Sequence, residues 1–182
     1  VPLLVRPGRL AIQKAREIYR RLFRAASETS STDAADAKLL GAAIGCVAVL
    51  HTGRQNLHLH PHLHCVVPGG GISPDGLRWI GCKKQSFFIP VKVLSSRFRN
   101  LFLIYLRKAF QAGRLKFHGE MAGLAQPSSF EALCREARRI KLVVFVEPPF
   151  GWTGQVLDDL ARYTDWVAVA RRRLSALGGG RG

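Results

Sequence analysis

Residues 62–67, "HLHCVV", alternate in chemistry with a period of two: His62 and His64 are separated by Leu63 and followed by Cys65. Such an alternation is strongly limiting. In an extended strand, residues two apart point the same way and lie about 7 Å apart along the chain. The segment is therefore expected to be a strand with His62 and His64 on one face. Leu63, Cys65 and Val67 occupy the other face and suit a core. Two imidazoles at that spacing can both ligate one divalent cation. His58 and His60 share their parity, but Pro61 interrupts any ladder and puts them in the preceding loop. The alternatives are a set of half-exposed histidines that hold no ion, or adventitious capture of Ni or Zn by a His-rich tract.

The surrounding sequence predicts an α+β chain. Residues 10–27 place Ala15, Ile18, Tyr19, Leu22, Phe23 and Ala26 at helical spacing, with arginines filling the rest. "SSTD" then offers an N-cap for a second short helix through about Leu40. The apolar run 41–51 reads as a buried strand, antiparallel to 62–67 across the turn "TGRQN". "PGGG" closes the His strand, and "SPDG" marks a tight turn in a hairpin carrying "LRWI" and "SFFI". Gly69, Gly70 and Gly71 either let a nucleic-acid backbone approach closely or simply make a turn.

Further on, Pro90 opens a long helix to about Ala112, with Val91, Leu94, Phe98, Leu101 and Tyr105 on its apolar stripe. A polar linker around 119–129 leads to a short helix near 130–138. Residues 141–147 read as a third core strand, "QVLDDLARYT" as an amphipathic helix and "WVAVA" as a last strand.

Charge narrows the partners. Against 12 Asp+Glu stand 28 Lys+Arg, a net charge of +16, so a polyanion is the expected partner. The four cysteines form no CxxC pair, which argues against a zinc ribbon or a disulfide framework and for buried thiols in a reducing cytosol. No apolar run reaches the roughly 18 residues that a membrane span needs. The 182 residues suffice for one domain with a sizeable core.

Three stretches in order, "HTGRQNLHLHPHLHCVVPGGGISPDGLRW", "FFIPVKVLSSRFRNLF" and "EPPFGWTGQVLDDLARYT", resemble the transposases of bacterial rolling-circle insertion sequences. These belong to the two-tyrosine branch of the HUH class, named for its His–hydrophobic–His motif. The resemblance runs from about Leu10 to Leu174. It implies an antiparallel central sheet flanked by helices. It also implies metal-dependent cleavage and strand transfer of single-stranded DNA at insertion-sequence ends, in the bacterial cytoplasm. Neither a membrane nor a small-molecule substrate is implied. On this likeness His62 and His64 hold Mg²⁺ or Mn²⁺ on the scissile phosphate. Tyr163 attacks, leaving a 5′-phosphotyrosine and a free 3′-OH. Arg162 beside it would hold a phosphate or would simply be solvated. The third metal ligand stays open among Gln55, His58, His60, Glu147 and Asp159.

The chain also departs from that family's pattern. The family's helix reads Tyr-Leu-x-Arg-Tyr, whereas here the turn is "DLARY", with Asp159 in place of the first tyrosine. A relay between two tyrosines on one helix face is thereby unavailable. The Cys-rich zinc-binding domain that precedes the catalytic part in relatives is not in this sequence, and "VPLLV" substitutes poorly for their first strand. The expectation is a single catalytic domain over residues 1–182, a fragment of a transposase. The competing expectation is a non-catalytic remnant that binds single-stranded DNA through its basic surface and exposed aromatics.

Overall fold

A computed structural model describes residues 15–51, 62–82, 90–139 and 144–145. The chain divides into two compact units, Val1–Pro148 and Pro149–Gly182, and every described residue lies in the first. Its fold is α+β: helices accompany two small antiparallel sheets. Of the strand expected at 141–147 only residues 144–145 are described, and they form no strand, Phe145 being exposed; the strand expected at 166–170 and the helix over 155–164 lie outside the described residues.

Helix α1 (Ala15–Ala35) and helix α2 (Val91–Gln111) form the framework. They run antiparallel, since Arg21 meets Tyr105 while Asp33 meets Arg97. α1 does not stop at "SSTD" as expected. Ser31 Oγ donates to the Ser27 carbonyl at 2.9 Å, so its hydroxyl is satisfied inside the helix. Thr29 and Asp33 face the protein and are buried, and Asp33 forms an ion pair with Arg97 of α2. Tertiary contacts thus carry the helix through a sequence that locally favours a cap. Termination comes at Asp36, whose carboxylate accepts from the Lys38 amide and whose carbonyl accepts from the Gly41 amide. Gly41 sits at φ +73°, a conformation that a side chain disfavours. The short helix expected through Leu40 is this turn.

α2 begins and ends where its sequence predicts, with Pro90 and Ala112 as caps. The buried stripe centres on Phe102, Leu103, Tyr105, Leu106 and Ala109, while Phe98 and Leu101 pack at its margin. The stretch expected to be a polar linker holds a 3₁₀ segment (Gly119–Ala125) that buries Met121. Helix α3 (Pro127–Arg139) follows, with Pro127 at its first position, where the lost N–H costs nothing. Phe130 of α3 stacks on Phe110 of α2, ring centroids 4.1 Å apart and 8° from parallel. Arg107 also clasps Glu131 through Nε and Nη2, at 2.6 and 3.0 Å. Burying a ring such as Phe130 is worth about 2–3 kcal/mol.

Strands β1 (Val47–His51) and β2 (His62–Val66) pair antiparallel. Leu50 and Leu63, opposite each other in the register, pack against the helical core. The strand is shorter and less buried than the apolar run 41–51 suggests, and Val47 is exposed. Its lead-in is used elsewhere: Ala43 exchanges both backbone hydrogen bonds with Ile72, at 2.8 and 2.9 Å. Ile72 ends β3 (Gly70–Ile72), which pairs with β4 (Trp79–Gly81). This hairpin pairs "GGI" with "WIG", so Trp79 and Ile80 of the expected "LRWI" are in its second strand, while "SFFI" lies outside the described residues. Ser73 organises the turn, its hydroxyl accepting from the Arg78 amide and donating to Asp75. A second small core gathers Ala34, Leu40 and Ala42 with Ile80, Val93 and Leu94 around it.

The cysteines differ from expectation. Cys134 is fully buried and its thiol is pushed up to about 11 by burial, but Cys65 is exposed and Cys46 and Cys82 are half-buried. All four are free thiols. No helix among the described residues is long and apolar enough to cross a membrane.

Candidate metal centre

The register of β1 and β2 builds the site. His51 pairs with His62, and Val49 with His64. In an antiparallel pair, residues opposite each other share a face, as do residues two apart. His51, His62 and His64 therefore project from the same side of the sheet, opposite the side on which Leu50 and Leu63 enter the core. The packed face holds the strands in place and the other face carries the donors.

Three imidazoles converge there. Ring centroids are 5.1 Å apart for His51–His62, 5.7 Å for His51–His64 and 4.9 Å for His62–His64. One nitrogen from each lies within 4.8 Å of the others, and all three residues are half-buried. A cation about 2.1 Å from each nitrogen holds its ligands roughly 3.0–3.4 Å apart. Nitrogens up to 4.8 Å apart would have to draw in by up to roughly 1.4 Å to reach the upper end of that range. Three protein ligands would leave further coordination positions for other groups on a divalent cation.

His62 and His64 thus share a face as their alternation predicts, and the structure adds His51 beside them. Reasoning from the sequence left the third ligand among other residues. The available signal was the antiparallel pairing of 41–51 with 62–67, but its register was not legible. Gln55, His58, His60, Glu147, Asp159, Arg162 and Tyr163 all lie outside the described residues.

The glycine triplet is not a simple turn. Gly70 and Gly71 lie within β3, and both are crowded by the protein's own atoms. A Cβ on Gly70 would come within 2.5 Å of the Ile80 carbonyl oxygen, and one on Gly71 would collide with the Ala43 carbonyl oxygen and meet the Ile44 side chain at 2.8 Å. The close backbone approach at these positions is intramolecular. Only Gly69 of the three has open space where a side chain would stand.

Comparison with known proteins adds the family. Residues 45–181, spanning both His strands and the hairpin, match the model of a family described as "Putative transposase". Over 165 residues the chain is 52% identical to the "Putative transposase y4qJ" of Sinorhizobium fredii (strain NBRC 101917 / NGR234), covering 91% of this chain and 41% of that protein. The chain belongs to this transposase family. It spans about two-fifths of that relative's length. No solved structure matches it.

Proposed function

We propose that the chain carries the metal-binding and nucleophilic residues of an HUH-type transposase that cuts and rejoins single-stranded DNA in rolling-circle transposition. The observation that supports this reading is the convergence of His51, His62 and His64 on one face of β1–β2. These three residues would hold a divalent cation. When bound, the cation neutralises charge on the scissile phosphate and makes the phosphorus more electrophilic. Among the described residues the cluster contains no carboxylate. Imidazole donors match Mg²⁺ poorly, because Mg²⁺ prefers oxygen ligands in octahedral geometry, so Mn²⁺ is the better fit of the two ions.

Tyr163 supplies the nucleophile. Its phenol oxygen bonds to phosphorus while the bond from phosphorus to the 3′ oxygen breaks, and the 3′ oxygen leaves as a hydroxyl. The phosphotyrosine linkage conserves the phosphodiester for rejoining. A reference phenol pKa near 10 requires the site to help remove the proton. Arg162 would steady a phosphate, and Gly69 is the glycine of its triplet with space for a DNA backbone.

The test is an SDS-stable adduct between the chain and a single-stranded oligonucleotide in Mn²⁺. The adduct should be lost in Tyr163→Phe and in His64→Ala, and depleted at least tenfold in His51→Ala. Adduct that survives Tyr163→Phe would refute the assigned nucleophile. In parallel, saturating Mn²⁺ at about a hundredfold excess over Kd should raise the wild-type melting temperature by roughly 5–10 °C but leave His51→Ala unmoved.

A second reading is favoured by Asp159, which stands where a two-tyrosine enzyme has its other nucleophile. On that reading the chain binds single strands without cutting them. Salt-dependent binding with neither adduct nor metal requirement would select it.

A further inference from the structure

The β3–β4 hairpin has two unlike faces. Gly71 and Ile80 pair in register and turn towards the second small core, where Gly71 abuts Ala42, Ala43 and Ile44. Ile72 and Trp79 pair one step along and face outward, with Gly70 and Gly81 on the same side. Trp79 is 59% exposed, and Leu77 in the turn is 83% exposed. Neither takes part in a core cluster or in the histidine face.

The indole is nevertheless held. A Cβ on Gly70 would lie 2.7 Å from both Cε2 and Nε1 of Trp79, so the ring rests over the bare backbone of the opposite strand, and Gly70 is buried beneath it. An aromatic ring covering a cross-strand glycine is a stable arrangement in a sheet. Gly81 adds no side chain to this face, and a Cβ there would meet nothing within 4 Å. The ring is therefore covered where it meets Gly70, while most of the indole stays open to solvent.

Charge identifies the occupant. Arg78 directly precedes Trp79, and its side chain is 78% exposed. Its 3.5 Å pair with Asp75 is solvent-exposed and therefore weak, so a phosphate can compete for the guanidinium. The whole chain carries +16. A hairpin that carries both an exposed ring and an exposed cation offers the two kinds of contact that an unpaired strand takes, a stacked base and a neutralised phosphate. Duplex DNA hides its base faces and cannot use the ring. We propose that Trp79 forms a stacking platform for one unpaired base of single-stranded DNA, separate from the histidine face, with Arg78 of the same hairpin taking a flanking phosphate. The inference rests on the reading of the chain as a DNA-acting transposase and adds a place where the strand is gripped.

The test compares Kd for two fluorescently labelled oligonucleotides of equal length, an oligo-dT and an abasic strand with the same sugar-phosphate backbone. Trp79→Ala should weaken oligo-dT about tenfold and leave the abasic strand unchanged. Trp79→Leu, which still covers Gly70, should behave like Trp79→Ala, whereas Trp79→Phe should keep most of the affinity; this pair decides the matter even if Trp79→Ala folds poorly. Equal oligo-dT binding by wild type, Trp79→Ala and Trp79→Leu would overturn the platform and leave DNA binding standing. No binding of either strand by the wild type would overturn the transposase reading and the platform with it. A dimer that dissociates in Trp79→Leu while DNA affinity stays constant would assign this face to a second copy of the chain instead, and would overturn the proposal.

Discussion

Two glycines in one triplet do different work from the third, and the difference is measurable. At Gly71 a methyl group would strike the Ala43 carbonyl oxygen, which the paired Ala43–Ile72 backbone holds in place. Gly71→Ala should therefore destabilise the fold by about 1–3 kcal/mol in urea unfolding, the usual cost of overpacking. Gly69→Ala, with nothing within 4 Å of the new carbon, should stay within about 0.5 kcal/mol of wild type. Equal behaviour of the two variants would show that the bridge between Ala43 and Ile72 does not constrain β3. The sequence displays three adjacent glycines and suggests a turn or an open groove. Gly71 is crowded by Ala42, Ala43 and Ile44 from far earlier in the chain and Gly70 by Trp79 and Ile80 from the paired strand, and no local pattern carries that. His51 was missed for a related reason. Its chemistry was visible, but its partnership with His62 is a matter of register between strands, and register follows from packing of Leu50 and Leu63 on the helices.

At the scale of elements, α2 was the most legible part of the chain. Pro90 fixes its start, and its apolar spacing is long enough to be unambiguous. α1 was legible only in its first half, because a run of serine, threonine and aspartate has the local chemistry of a cap. Asp33 shows what overrides it. Its carboxylate is completely buried and meets the Arg97 guanidinium of α2, which is itself partly open to solvent. Removing one partner of such a pair leaves a buried charge. Arg97→Met should cost about 3–5 kcal/mol, while the double variant Asp33→Leu with Arg97→Met should recover most of that loss. If Arg97→Met alone melts like wild type, the ion pair does not hold α1 against α2 at this end. Helix α3 shows the opposite case: Phe130, Leu133, Cys134 and Ala137 are spaced to bury one face, and the structure buries them.

Across the whole molecule, few acids face many bases, and the acids are placed with care. The carboxyl of Glu17 is held below its ordinary value by a hydrogen bond from Arg21, that of Glu131 by Arg107, and that of Asp75 by the Ser73 hydroxyl and then the Leu77 amide. A depressed folded-state pKa contributes stability that is present above the unfolded-state value and lost as pH falls through the folded one. The unfolded values stand near 4.5 for the glutamates and 3.8 for Asp75, so the melting temperature should hold steady down to about pH 5 and then fall. Protonation also removes negative charge from a chain already at +16, which steepens the loss through self-repulsion. Glu131→Gln should start from a lower melting temperature near neutrality and decline less between pH 5 and 3. A parallel decline in variant and wild type would show that the Arg107–Glu131 pair does not contribute.

One further consequence follows from the origin of the three imidazoles. His51 belongs to one strand, and His62 and His64 to its neighbour, joined by backbone ladders only five residues long. A slip of one position would send the histidines of one strand to the far side and scatter the donors. An ion seated among them would act as a rivet through the ladder, so chelation and strand alignment are the same event seen by two probes. Titrating the metal would therefore read out how the backbone is aligned.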